Sequence, residues 1–77
     1  MAEPTDLDLS GLKCPLPALR TAKALKSLGL GAFLRVTCTD PMAAIDIPNL
    51  VRETGDDLVS QVQTDGKTIF DIRKARS

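Results

Sequence analysis

The sequence predicts a two-layer α/β (α+β) sandwich in the order β-α-β-α-β-β, a mixed four-stranded sheet with two helices on one face. Three observations predict it. The hydrophobic period alternates between two and about 3.6 along the chain. Glycine or proline stands at most of the switches between periods. Asp65-Gly66, a strong hairpin-turn signal, separates the last two alternating runs.

Leu7 and Leu9 alternate with Asp6, Asp8 and Ser10, which predicts a short half-buried strand ending at Gly11. From Pro17 to Leu28 the apolar set Ala18, Leu19, Ala22, Leu25 and Leu28 recurs at helical spacing, with Arg20, Lys23 and Lys26 off the stripe. Gly29 and Gly31 end that helix. Phe33 to Cys38 alternates again, with Leu34, Val36 and Cys38 on one face, and predicts the second strand.

Thr39-Asp40-Pro41 punctuates the chain, with Asp40 suited to an N-cap and Pro41 to a first helical position. Met42 to Thr54 follows a helical pattern through Ile45, Leu50 and Val51 but contains Pro48, which cannot donate to the carbonyl of Ala44. Either a kink or a start delayed to near Asp46 follows. Gly55 closes this helix. Leu58 to Thr64 and Lys67 to Arg73 are the hairpin strands, and Lys74 to Ser77 is expected to be a frayed tail. The first crossover should make the first two strands parallel neighbours, and the hairpin is antiparallel.

Seventy-seven residues make a single domain, 1–77, with an ordered core expected over about 6–73. A chain this short buries only about 60–65% of its unfolded surface. Its aromatics are Phe33 and Phe70, so Leu, Ile, Val and Ala must fill the core. Ten basic residues balance ten acidic ones. No overall field therefore draws the chain to nucleic acid or an anionic membrane.

There is no histidine, which excludes Cys-His catalysis and most zinc sites within the chain. No cofactor and no metal are expected. The stretch Met1 to Asp6 lacks the basic and apolar regions of a signal peptide, and no apolar run reaches the ~20 residues of a membrane span. Both cysteines are expected to be reduced, in a soluble cytoplasmic domain.

The stretch carrying chemistry is Leu9-Ser10-Gly11-Leu12-Lys13-Cys14-Pro15-Leu16-Pro17. It places Cys14 in the loop leaving the first strand, at the sheet edge where ligands and partners usually dock. Leu16 precedes a proline and resists the α region, so the helix is predicted to start at Pro17. The amides of Ala18, Leu19 and Arg20 then face the loop, and with Lys13, Arg20 and Lys23 they should lower the thiol's pKa. Two prolines stiffen the frame and present the sulfur, with no general base beside it. The competing reading is a small apolar side chain filling a strand-helix junction; the flanking lysine and prolines suit an exposed loop better.

Gly11, Leu12, Lys13, Cys14, Pro15 and Pro17 form a Gly-Leu-x-Cys-Pro-x-Pro frame that resembles the signature of the TusA/SirA-type sulfur-carrier proteins. The resemblance continues through Asp40-Pro41 and Asp46-Ile47-Pro48 and ends near Arg73. It implies that Cys14 accepts a sulfane sulfur as a persulfide and passes it on. The donor would be a cysteine desulfurase or a rhodanese-like protein, and the recipient a downstream acceptor protein. Transfer RNA thiolation, cofactor assembly or sulfur oxidation are the implied destinations. Such a sulfurtransferase-type carrier needs an accessible, partly ionised thiol rather than a base, with catalysis supplied mostly by its partners.

Cys38 shares a strand face with Leu34 and Val36, so it reads as a core residue, and the motif assigns it no role. Asp40 and Asp46 each stand beside a proline and read as helix caps rather than an acid pair. Arg20, Lys23 and Lys26 read as a solvated face that also suits an acidic partner. Two other functions remain open. One is a non-catalytic RNA-binding or interaction module, disfavoured by zero net charge and few aromatics. The other is a thiol-redox protein using Cys14 and Cys38.

Overall fold

The computed structural model of the chain describes residues 4–75. Strand β1 (Thr5–Leu9) leads into helix α1 (Leu16–Ser27), then β2 (Phe33–Cys38), α2 (Ala43–Thr54), β3 (Asp57–Thr64) and β4 (Lys67–Arg73). The strands lie in the order β1-β2-β4-β3. β1 runs parallel to β2, and β4 is antiparallel to both β2 and β3. This is the mixed four-stranded sheet and element order that the sequence predicts.

Burial is one-sided. Leu34, Val36 and Cys38 of β2 and Phe70 and Ile72 of β4 point into the core, where Leu25 of α1 and Ala43, Ile47 and Val51 of α2 meet them. Both helices therefore cover the same face of the sheet. The opposite face carries Arg35 bonded to Asp71 at 2.8 Å, Ser60 bonded to the same carboxylate at 2.9 Å, and an ion pair between Arg73 and Asp57.

Helix α1 begins at Leu16, one residue before the predicted Pro17. The Leu16 N–H donates to the carbonyl of Lys13 at 2.9 Å, and the Leu19 N–H to that of Pro15 at 3.1 Å, so the first turn winds from Pro15. Pro17 needs no partner because its position has an orphan amide in any helix. The buried face also differs from the expected stripe. It comprises Pro17, Thr21 and Leu25, whereas Leu19 is 60% exposed. Thr21 reads as polar in the sequence, but packing against the sheet and α2 sets the helix's rotation and turns Thr21 inward.

Helix α2 starts at Ala43 and runs on through Pro48, without the delayed start near Asp46. Pro41 stays outside it, in the preceding turn, where its carbonyl accepts from Ala44 at 3.3 Å. A proline within a helix forfeits one ladder bond. Here the carbonyl of Ala44 is instead approached at 3.5 Å by the Gln61 side-chain amide of β3. The buried residues are Ala43, Ile47 and Val51, while Ile45 is 57% exposed. Gly55 ends the helix with φ +80°, a left-handed C-cap that glycine adopts without a Cβ penalty.

Asp65 and Gly66 have φ of 48° and 74°, as a two-residue hairpin of the favoured twist requires. The ladder slips between Leu58 and Ser60, so β3 carries a bulge at Val59. Lys74, expected in a frayed tail, is instead tied down. Its N–H donates to Ala32, its carbonyl accepts from Gly31, both at 2.8 Å, and the residue is 9% exposed. Residues 76–77 of that expected tail and residues 1–3 of the leader reading lie outside the described residues. Among the described residues no helix is long and apolar enough to cross a membrane.

Candidate functional site at Cys14

Because β1 and β2 are parallel neighbours, with Leu9 opposite Cys38, their C-terminal ends open onto the same sheet edge. The loop after β1 carries Cys14 and the loop after β2 carries Asp40. Side chains stitch the two together. Gly11, at φ +83°, donates its N–H to the Thr39 hydroxyl at 2.9 Å. Asp40 accepts the Cys14 N–H at 2.5 Å on one carboxylate oxygen and the Met42 N–H at 3.1 Å on the other. Asp40 is not the N-cap expected from its place beside Pro41: Met42 holds that position without a side-chain cap bond, and Asp40 closes the turn two residues earlier. It also fixes the Cys14 backbone, which the sequence does not reveal.

Asp46 is no cap. It lies inside α2, in the first turn, and its carboxylate accepts the Cys14 thiol at 2.9 Å. The expectation of a thiol with no base beside it is therefore corrected: a carboxylate touches the sulfur. The sign of the pKa shift is corrected with it. The hydrogen bond to Asp46, then desolvation by neighbouring atoms, then the negative charges of Asp46 and Asp40 raise the Cys14 pKa above its ordinary value. Each favours the neutral thiol over the thiolate.

The expected helix-end stabilisation is also weaker than three free amides would supply. Leu19 spends its N–H on Pro15, and Arg20 falls inside the bonding ladder of a helix that begins at Leu16. Lys13, Arg20, Lys23 and Lys26 are exposed.

The sulfur faces a shallow groove of about 350 Å³ between the two helices, lined by Cys14, Pro15 and Ala18 on one side and Asp46, Asn49, Leu50 and Glu53 on the other. The α2 residues recur at i, i+3, i+4 and i+7, one face of the helix. That spacing is a signal sequence reasoning could have used, had Asp46 not been assigned to capping. Leu16, Leu19, Met42 and Ile45, at the beginnings of the same two helices, are between 43% and 60% exposed.

The remaining motif residues have structural places. Leu12 packs half-buried against the core, Pro17 is fully buried, and Pro15 and Gly11 shape the loop. Pro48 lies half-buried in α2. Cys38 is wholly buried, and burial followed by the Asp40 charge pushes its thiol pKa up to about 11. Both cysteines are free. Among the described residues no group of three or more Cys, Asp or Glu side chains is placed to hold a metal ion.

Residues 5–74 match the family described as sulfurtransferase TusA. The chain belongs to the TusA family. The sulfur carrier protein TusA of Allochromatium vinosum is 40% identical over 70 residues, spanning 91% of this chain and 92% of the relative. That of Pseudomonas paraeruginosa is 37% identical over 76 residues, spanning 96% of each. The crystal structure of a SirA-like protein from Desulfitobacterium hafniense superposes with a TM-score of 0.83 at 23% identity, covering 94% of this chain and 99% of that one. This likeness shows the shared fold. The TusA relatives support a sulfur-carrier role, and with it sulfur donors and acceptors as partners in general.

Proposed function

We propose that the protein carries sulfane sulfur as a persulfide on Cys14, taking it from a cysteine desulfurase or a rhodanese-like donor and handing it to an acceptor protein. The single observation that supports this best is the contrast between the two free cysteines, Cys14 exposed at the edge of the helix groove and Cys38 sealed in the core. A carrier needs one presented sulfur, room for a partner, and little catalytic equipment of its own. The exposed apolar residues at the two helix entries suit contact with protein partners. Transfer RNA thiolation, cofactor assembly and sulfur oxidation all remain open as destinations. A reducing cytoplasm suits two unpaired thiols.

The redox alternative needs Cys38 to reach Cys14, and a wholly buried thiol with a pKa near 11 is a poor attacking group. The RNA-binding alternative needs a basic, stacking surface. The open sheet face instead carries paired charges, Arg35 with Asp71 and Arg73 with Asp57, and Phe33 is only 38% exposed. Incubation with a cysteine desulfurase and free cysteine is the test. Intact-mass spectrometry should show one added sulfur on the Cys14 peptide, removable by reductant. A product two hydrogens lighter with Cys14 linked to Cys38 would favour the redox reading instead.

A further inference from the structure

A carrier must treat its empty and loaded forms differently, and the contact between Cys14 and Asp46 bears on how. In the empty form the thiol donates to the Asp46 carboxylate at 2.9 Å, while Asp40 holds the backbone of the same residue. The sulfur is thus drawn to the groove wall. The charged groups around it are Asp46 and Glu53 on α2, Asp40 in the neighbouring loop and Lys13 beside it in its own loop; Pro15 before α1 and Ala18 within it line the other side and carry no charge.

Loading replaces the donor with an acceptor. The step is Cys14–SH + R–S–S⁻ → Cys14–S–S⁻ + R–SH. The bond between the donor's two sulfurs breaks, and a bond forms between Cys14 Sγ and the outer sulfur. The Cys14 proton ends on the donor's sulfur, and no oxidant or reductant is consumed. A persulfide is a stronger acid than its parent thiol, so the loaded group is an anion near neutral pH. It has no proton to give Asp46 and meets a like charge there instead.

We propose that Asp46 discriminates between the empty and loaded carrier, retaining Cys14 in the groove as a neutral thiol and turning it outward as a persulfide anion. This rests on the reading of Cys14 as the sulfur acceptor. Retention protects the empty thiol from adventitious electrophiles, since the thiolate is the reactive form. Expulsion places the terminal sulfur where an acceptor protein reaches it. Asp46 therefore acts directly on the reacting sulfur, through its charge.

The experiment follows alkylation by iodoacetamide against pH for the wild type, Asp46→Asn and Asp46→Glu, each empty and each loaded on Cys14 with inorganic polysulfide. Empty wild type should react slowly at pH 7 and accelerate only in the alkaline range. Asp46→Asn should shift that curve to lower pH and react several-fold faster at pH 7, and Asp46→Glu should return towards the wild type. Loaded wild type and loaded Asp46→Asn should react alike, both fast at pH 7. Empty Asp46→Asn following the wild-type curve, or loaded wild type as slow as empty, would overturn the proposal. A second measurement needs no variant: the Asp46 carboxyl carbon resonance of the wild type should move on loading, and an unmoved resonance would also overturn it. Polysulfide loads accessible thiols without an enzyme, so failure here leaves desulfurase loading to be judged separately, and the reverse.

Discussion

Cys14 and Asp46, 32 residues apart in sequence, meet at 2.9 Å across the groove between α1 and α2. The contact joins the loop after β1 to the first turn of the other helix. It makes the exposed cysteine a harder thiol to ionise than its helix-entry position alone suggests. At this site a carboxylate from α2 opposes ionisation of the thiol.

Replacing Cys14 with Ser should abolish sulfur loading and leave the melting temperature within a degree or two of the wild type. The residue is exposed, and a serine hydroxyl can donate to Asp46 as the thiol does. The Cys14 amide bond to Asp40 is untouched by the change. Thermal unfolding followed by circular dichroism, beside the intact-mass loading assay, checks both halves. A variant that loads sulfur, or one that melts far below the wild type, would contradict the assignment.

Cys38→Ser should do the opposite. A hydroxyl left without a partner among Leu34, Val36 and Leu9 costs about 1–3 kcal/mol, with about 4–8 °C lost per kcal/mol in a domain of this size. Wild-type stability should also depend on pH through this thiol. Its folded pKa, about 11, exceeds the ordinary value of 9.0. The stability that the neutral buried thiol contributes is thus fully present below pH 9 and lost as pH rises through 11. Melting curves across that window should fall more steeply for the wild type than for Cys38→Ala, and parallel slopes would refute the point.

Thr21 presents a different kind of test. Its side chain is fully buried in α1, and its hydroxyl has no hydrogen-bond partner. Thr21→Val keeps the shape and removes the unsatisfied group, so stability should hold or rise by up to about 1 kcal/mol. Denaturant unfolding with an unchanged m-value is the check. A clear loss of stability would mean that the hydroxyl is satisfied in solution.

Asp40→Ala removes the acceptor for both the Cys14 and the Met42 amides. Removing hydrogen bonds of this kind costs about 0.5–1.5 kcal/mol each. The effect should be local as well as global. Amide hydrogen exchange at Cys14 and Met42 should accelerate more than exchange at Val36 or Phe70 in the sheet centre. Uniform acceleration would show that Asp40 supports the fold without specifically fixing the loop.

The sequence by itself determined the architecture and the presented cysteine. β2 and β4 fall at Phe33–Cys38 and Lys67–Arg73, as alternation predicts, because strand period is a local property that the pleat enforces residue by residue. Asp65-Gly66 makes its hairpin for an equally local reason, the positive φ that both residues tolerate. Cys14 is exposed and Cys38 buried, as loop and strand positions imply. What only the tertiary structure decided is how the two helices are rotated on the sheet. Leu19 and Ile45 match the apolar stripes yet face out, while Thr21 faces in. Helical periodicity in a stretch rich in alanine admits more than one burial face, and contacts with the sheet and the other helix choose between them. That same choice aims Asp46 at Cys14, and so reverses the sign of the thiol's pKa shift: the helix end is a local feature legible in residues 14–20, but the opposing charge arrives from a distant segment through packing alone.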